Sequence, residues 1–207
     1  MKGEAVQHSQ EFTEASAAFV GVVRQIPPAE WESPGLGTWS VRSLVGHTSR
    51  ALTTVEEYLA LEEPESVTHH RAEEYFSTFI TGATDPGQIA RRGVEAGERL
   101  GPDPLAAILL ARERTLAALA AQRPGRIIAV RGAALPLEQY LRTRVFELVV
   151  HSLDIGRAIN TDVDIPPVPL AGSVLLAASL ASTTGSGKVL LAALTGRGGL
   201  PVGFSVV

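Results

Sequence analysis

Residues 144–157 read Arg144-Val145-Phe146-Glu147-Leu148-Val149-Val150-His151-Ser152-Leu153-Asp154-Ile155-Gly156-Arg157. Wound as an α-helix at about 100° per residue, Arg144, Glu147, His151 and Asp154 fall in a sector about 80° wide. The rest of the circumference is apolar, interrupted only by Ser152 and Arg157. One reading is a solvent face held by i,i+3 and i,i+4 charge pairs. A surface helix, however, shows water about half of its circumference. The narrow sector points instead to a helix surrounded by protein, whose ionisable groups line an internal cavity and need partners or a metal. Either way the segment is a helix, and the fold it belongs to is mainly α.

Glu147 and His151 stand four residues apart, one turn along the same face, where two side chains can meet one cation. The pattern E-x-x-x-H also arises by chance in many helices. A third ligand has to come from elsewhere, and His47 is the candidate. It sits at the edge of an apolar stripe of Val41, Leu44, Val45, Ala51, Leu52 and Val55, one turn from Leu44 and Ala51. A lone histidine at such an edge also reads as an ordinary boundary residue. His8 belongs to a frayed N-terminus and His69-His70 to a polar, weakly patterned stretch, so these are expected to be solvated.

Outward from this helix the chain reads as a succession of amphipathic helices. They are expected over Ser9 to Gln25, Val41 to Glu62 with Ser40 as N-cap, Pro86 to Leu100, Pro104 to Gln122 and Leu137 to Asn160. Arg126 to Arg131 is a short strand candidate. The stretch from Pro64 to Asp85 has no clear pattern. Ile165 to Pro169 reads as a linker, apolar helical segments follow to Leu194, and the tail from Gly196 is Gly-rich and irregular. The division expected is a metal-binding bundle over 1–160 and a C-terminal helical extension over 161–207 packed on it.

Composition narrows the function. A net charge of −4 without a basic stripe argues against nucleic acid. The N-terminus is polar and shows no signal peptide. The longest apolar stretch, Val168 to Ala181, is broken by Pro169, Gly172 and Ser173 and is too short for a bilayer. A cytoplasmic protein without membrane attachment, a monomer or homodimer, is expected. Cysteine is absent, which excludes disulfides, thiolate metal ligands and a cysteine nucleophile. Thr184-Gly185-Ser186-Gly187-Lys188 fails as a phosphate loop because Val189 stands where Ser or Thr is required. No strand precedes the glycines at 196–199, and no G-x-S-x-G elbow occurs.

Three segments resemble a known family. Thr38-Trp39-Ser40-Val41-Arg42-Ser43-Leu44-Val45-Gly46-His47 is similar to the W-[ST]-V-x-x-L-x-x-H opening of the second helix in the DinB-like superfamily. Arg144 to Asp154 resembles the R-x-x-E-x-x-x-H-x-x-D segment of the mycothiol-dependent maleylpyruvate isomerase family. Leu190 to Arg197 is similar to its C-terminal L-x-x-L-T-G-R stretch. The resemblance implies an up-and-down four-helix bundle of DinB-like type with a short, partly irregular C-terminal extension. It also implies a metal triad of His47, Glu147 and His151. Asp154 becomes a candidate for orienting a ligating histidine, against the plainer role of a helix-surface or capping carboxylate. Arg144 is expected to pair with Glu147 or Asp154 rather than to face an anionic ligand. The isomerase proper adds a smaller α/β domain that brings an arginine to its acidic substrate; Arg197, in the short run after Asn160, is the candidate for that role.

Two imidazoles and one carboxylate suit Zn²⁺, and would also take Ni²⁺, Fe²⁺ or Mn²⁺. Three ligands leave a position where a thiol would be held as its thiolate. With no cysteine in the chain, that thiol is external, mycothiol by the resemblance, and its partner is a small electrophile. An isomerase or a thiol S-transferase is the expectation. The alternative is a noncatalytic metal- or ligand-binding bundle, a class in which this superfamily is rich.

Overall fold

The computed structural model describes the backbone of residues 2–81 and 86–207 and the side chains of 8–78 and 87–207. Among the described residues the regular elements are eight α-helices, a 3-10 turn at Pro28–Glu30 and one short hairpin: α1 (Lys2–Val23), α2 (Val41–Leu59), α3 (Ala72–Thr81), α4 (Pro86–Arg99), α5 (Pro104–Ala120), β1 (Ile127–Val130), β2 (Ala133–Pro136), α6 (Leu137–Ala158), α7 (Pro167–Thr183) and α8 (Gly187–Leu194). The protein is mainly α, as expected. No described helix is long and apolar enough to cross a membrane.

The local signals explain the starts. Ser40 caps α2 by accepting from the Ser43 amide, and Asp103 caps α5 by accepting from the Ala106 amide with Pro104 in the first turn. α1 and α2 each pack against α5 and α6, so the four close a ring around a core of Phe12, Phe19, Leu44, Leu52, Ile108, Leu141 and Leu148, all buried. α4 lies against α2, and α7 lies against α6 and α1. A smaller core under α7 joins Leu176 and Leu180 to Phe146, Ala72 and Phe76. α6 therefore has α1, α2 and α7 around it. Of the two readings of its narrow polar sector, the surrounded one holds.

Three elements differ from the sequence reading. α3 forms over Ala72–Thr81 inside the stretch without a clear pattern, whose end, residues 82–85, lies outside the described residues. The expected linker turns helical at Pro167, because a proline in a first turn sacrifices no intrahelical hydrogen bond. The strand Ile127–Val130 has a partner, Ala133–Pro136, in antiparallel register Val130↔Ala133. The two residues between them, Arg131 and Gly132, have φ of 49° and 84°. Positive φ at both positions of a two-residue loop is the type I′ turn that suits the twist of a hairpin.

α2 and α4 meet backbone to backbone. A Cβ on Gly46 would lie 2.1 Å from the Gly97 nitrogen, and one on Gly97 would lie 2.9 Å from the Arg42 carbonyl oxygen. Only glycine permits that approach, and it sets how closely α4 sits beside the site described next.

Candidate metal centre

His47 lies two turns into α2 with its ring on the Trp39 ring, centroids 4.6 Å apart. Trp39 is itself fixed from α4. Its Nε1–H donates to the Ala90 carbonyl at 3.0 Å, and Gly93 leaves room for the indole, since a Cβ there would fall 2.5 Å from Trp39 Cε2. The loop before α2 adds backbone bonds of its own, from Gly35 N–H to the Trp39 carbonyl and from Val41 N–H to the Ser33 carbonyl. His47 is thus held by packing rather than left to choose among rotamers.

From α6, Glu147 and His151 project one turn apart onto the same point. The His151 and His47 Nε2 atoms lie 3.3 Å and 3.6 Å from the same Glu147 oxygen, Oε2. One ligand atom from each of the three residues lies within 4.8 Å of the others. The side chains are 22%, 25% and 16% exposed for His47, Glu147 and His151, partly buried but open on one side. His151 Nδ1 sits 3.1 Å from Asp154 Oδ2. An ionised carboxylate only accepts, so Nδ1 carries a hydrogen toward Asp154 and, in the protonated ring, the Nε2–H faces Glu147 Oε2. Asp154 is steadied in turn by Arg157, which donates to Oδ1 at 2.7 Å.

The electrostatics are those of a site short of positive charge at its centre. Burial pushes the Glu147 carboxyl upward, but hydrogen bonds from His151 and His47 and the nearby Arg144 charge outweigh it, and its pKa lies well below the usual range. Burial pulls His151 down; its bonds to Asp154 and Glu147 reverse that and raise it to about 9. Without a metal, a proton holds these groups together. A divalent cation would replace it among the same lone pairs.

Beside the triad opens a cavity of about 430 Å³ whose walls include His47 and Glu147. Tyr58, Tyr75, Phe76 and Tyr140 form its aromatic side. Tyr140 O–H donates to Thr54 Oγ1 at 2.8 Å, which fixes the ring, and burial pushes the Tyr140 hydroxyl pKa up. Arg144 does not make the expected ion pair: its guanidinium lies 4.9 Å from the Tyr140 ring centroid, its Nε donates to Thr143 Oγ1 at 3.0 Å, and it faces the cavity. Burial works against its charge, while Tyr140 and Glu147 beside it outweigh that and raise its pKa.

The structure thus brings together His47, Glu147, His151 and Asp154. It does not bring Arg197 to them. That residue is exposed on the tail after α8, its guanidinium donating to the Thr195 carbonyl at 3.0 Å, and it is not among the residues lining the cavity. The arginines that do line it are Arg50, Arg92, Arg131 and Arg144. Three of these escaped the sequence reading, because they stand on α2, α4 and the hairpin turn with no common spacing. Of the remaining histidines, His8 is not loose but hydrogen-bonds Glu11 at 3.0 Å, and His69 bridges Thr68 and Thr78.

In comparison with known proteins, the model of the family described as the mycothiol maleylpyruvate isomerase N-terminal domain matches residues 12–156. That span runs from α1 to the last turn of α6 and contains His47, Glu147, His151 and Asp154. No curated protein and no solved structure matches the chain.

Proposed function

The chain belongs to the mycothiol maleylpyruvate isomerase N-terminal domain family, and we propose that it is a divalent-metal enzyme activating an external low-molecular-weight thiol, mycothiol by the family's name, for addition to an electrophilic double bond. The observation that supports this most is the convergence of two imidazole Nε2 atoms on one carboxylate oxygen at the wall of a cavity. The donor set fits the group: two neutral nitrogens and one carboxylate, with one imidazole already committed to the right tautomer by Asp154. His47, Glu147 and His151 would hold Zn²⁺, or Ni²⁺, Fe²⁺ or Mn²⁺, and leave a position toward the cavity. When bound, the cation supplies the charge that keeps a thiol deprotonated at neutral pH.

The chain's own residues do the rest. Asp154 is a positioning residue that fixes the His151 ring. Tyr58, Tyr75 and Tyr140 give the cavity an aromatic wall, and water displaced from it by a bound substrate would strengthen the charge interactions inside. Arg144 faces the same space and can meet negative charge as it develops on a substrate oxygen. In the addition, a sulfur electron pair forms a C–S bond while the π pair moves onto the conjugated carbonyl. After rotation about the former double bond the pair returns and the thiolate leaves, a cis–trans isomerisation with no net redox change. If carbon is protonated instead, the thioether remains and the outcome is S-transfer.

Elemental analysis of the purified protein beside His47→Ala, Glu147→Ala and His151→Ala tests the triad. About one divalent ion per chain is expected in the parent and a loss of most of it in each variant. Thiol-dependent turnover of a conjugated enone should fall with it, by about a hundredfold or more. Metal retained in all three variants would sink the triad. Stoichiometric metal without turnover of any such acceptor would make the protein a noncatalytic metal-binding bundle.

A further inference from the structure

Four guanidinium groups face one cavity in a chain whose net charge is −4. They come from four places: Arg50 on α2, Arg92 on α4, Arg131 at the hairpin turn and Arg144 on α6. Against them the lining offers one side-chain carboxylate, Glu147, which already receives both histidines. Arg144 is the inner member, next to Glu147 and stacked on Tyr140. The other three are an outer group in exposure, Arg131 exposed and Arg50 and Arg92 half-buried.

That outer group is set in mutual repulsion. Burial lowers the Arg92 pKa, and the charges of Arg131 and Arg50 press it down further, against the smaller opposing pull of Glu95 and Tyr58. Arg92 uses Nε on the Gln88 carbonyl at 3.2 Å, which leaves its two terminal nitrogens for another partner. None of the three is in an ion pair with a carboxylate among the described residues, whereas Arg42, Arg123, Arg126, Arg142 and Arg157 each are. Arg131 also occupies a left-handed backbone position, φ 49°, that an arginine adopts only at a cost. Like charges gathered from three elements around one cavity, with one on an unfavourable backbone, make a wall that an outside anion would stabilise.

The count of donors and charges says which anion. A single carboxylate carries one charge and two oxygens, enough for one guanidinium in bidentate contact. Three guanidiniums call for an anion with about two charges and three free oxygens, which is the description of a phosphate monoester. The aromatic wall below, Tyr58, Tyr75 and Phe76, suits an unsaturated or planar body carrying that group.

We propose that Arg50, Arg92 and Arg131 form a subsite for the dianionic phosphoryl group of a small ligand whose unsaturated body lies along the aromatic wall toward the triad. The proposal rests on the metal-enzyme reading only in calling that ligand the electrophilic substrate. The anion subsite itself stands or falls on binding.

Calorimetric titration of the full chain, with metal content measured on each sample, tests it. Phenyl phosphate and benzoate share a ring and differ in the charge and oxygen count of the head group, and malonate supplies two charges as carboxylates. Phenyl phosphate is expected to bind about tenfold or more tighter than benzoate and tighter than malonate at equal ionic strength. Arg92→Gln and Arg131→Gln should each weaken phenyl phosphate by about tenfold while retaining the parent's metal content. Arg123→Gln, on the Glu63 side of the molecule, should leave it unchanged. Equal affinity for phenyl phosphate and benzoate, or no loss in either cavity variant, would overturn the subsite. Tighter malonate would overturn its phosphoryl character. Phosphate binding in a protein that holds no metal would overturn the triad and leave the subsite intact.

Discussion

Arg126 and Arg131 stand at the two ends of strand β1 and are treated in opposite ways. Arg126 donates to Glu63 Oε2 at 2.7 Å and to the Leu61 carbonyl at 3.0 Å. Glu63 Oε1 receives Arg123 at 2.7 Å and the Ile127 amide at 2.9 Å. Every charge there has a partner, and the knot ties the end of α2 to the start of the hairpin. Arg131, five residues on, is exposed on a left-handed turn, faces a cavity with Arg50 and Arg92, and has no carboxylate partner among the described residues. The charge of the first arginine is met within the fold, at its two terminal nitrogens, although its buried Nε finds no acceptor. The second is left to solvent or to a ligand. Unpaired charge held in place by rigid elements is what distinguishes a binding wall from a structural salt bridge.

The comparison depends on α4 being pressed against α2, since that contact carries Arg92 to the cavity. Gly46→Ala attacks it at the tightest point, where the new Cβ would enter the Gly97 backbone. A loss of about 3 kcal/mol is expected in urea denaturation, because helix backbones cannot yield as side chains do. Metal occupancy at the adjacent His47 should fall with it. An unchanged unfolding midpoint would mean that the helices are not in contact and that Arg92 is free of the cavity.

A smaller effect is expected at the satisfied end. Glu63→Gln removes the charge between Arg123 and Arg126, so the melting temperature should fall at neutral pH while phenyl phosphate affinity stays at the parent value. The pH dependence follows from the sign of the shift. The Ile127 amide, then Arg126, hold the Glu63 pKa down to about 2, against burial. A carboxyl depressed in the folded state stabilises fully above its unfolded pKa of about 4.5, and that contribution is lost as pH falls through about 2. Parent and variant melting curves should therefore differ at pH 7 and converge in strong acid. Identical curves at pH 7 would show that the knot contributes nothing, and the contrast with Arg131 would lose its structural half.

The two kinds of information in the site were unequally visible in the sequence. Glu147, His151 and Asp154 share one helix, so their spacing alone brought them to one face, and the apolar residues around them revealed a surrounded helix. His47 sits a hundred or more positions away and needed the Trp39 to His47 motif to be joined to them. The cavity wall had no such help. Arg50, Arg92 and Arg131 meet only because Gly46 and Gly97 let α4 close on α2 and because a turn at 131–132 aims a side chain back. Neither cause has a period. The turn itself was hidden because arginine stands where Asn or Asp announces a type I′ hairpin. Arg197, by contrast, lay in a recognisable motif and is not among the residues lining the cavity, since a short motif fixes local chemistry and not the path of the tail.

The residue at position 131 offers the finest test of the contrast. Arg131→Asn converts the turn to Asn-Gly, the pair that accepts positive φ at both positions with least strain. It also withdraws one of three mutually repelling charges. On stability alone the substitution should be favourable, by about 0.5 kcal/mol, read as a small rise in urea midpoint at an unchanged slope. On binding it should be costly, weakening phenyl phosphate by about tenfold, as expected for loss of a charge-assisted contact. A variant that is both less stable and unchanged in affinity would place Arg131 with Arg126, as an arginine that serves the fold. Stability and affinity moving in opposite directions would mean that the turn keeps a residue the backbone disfavours for the sake of the ligand.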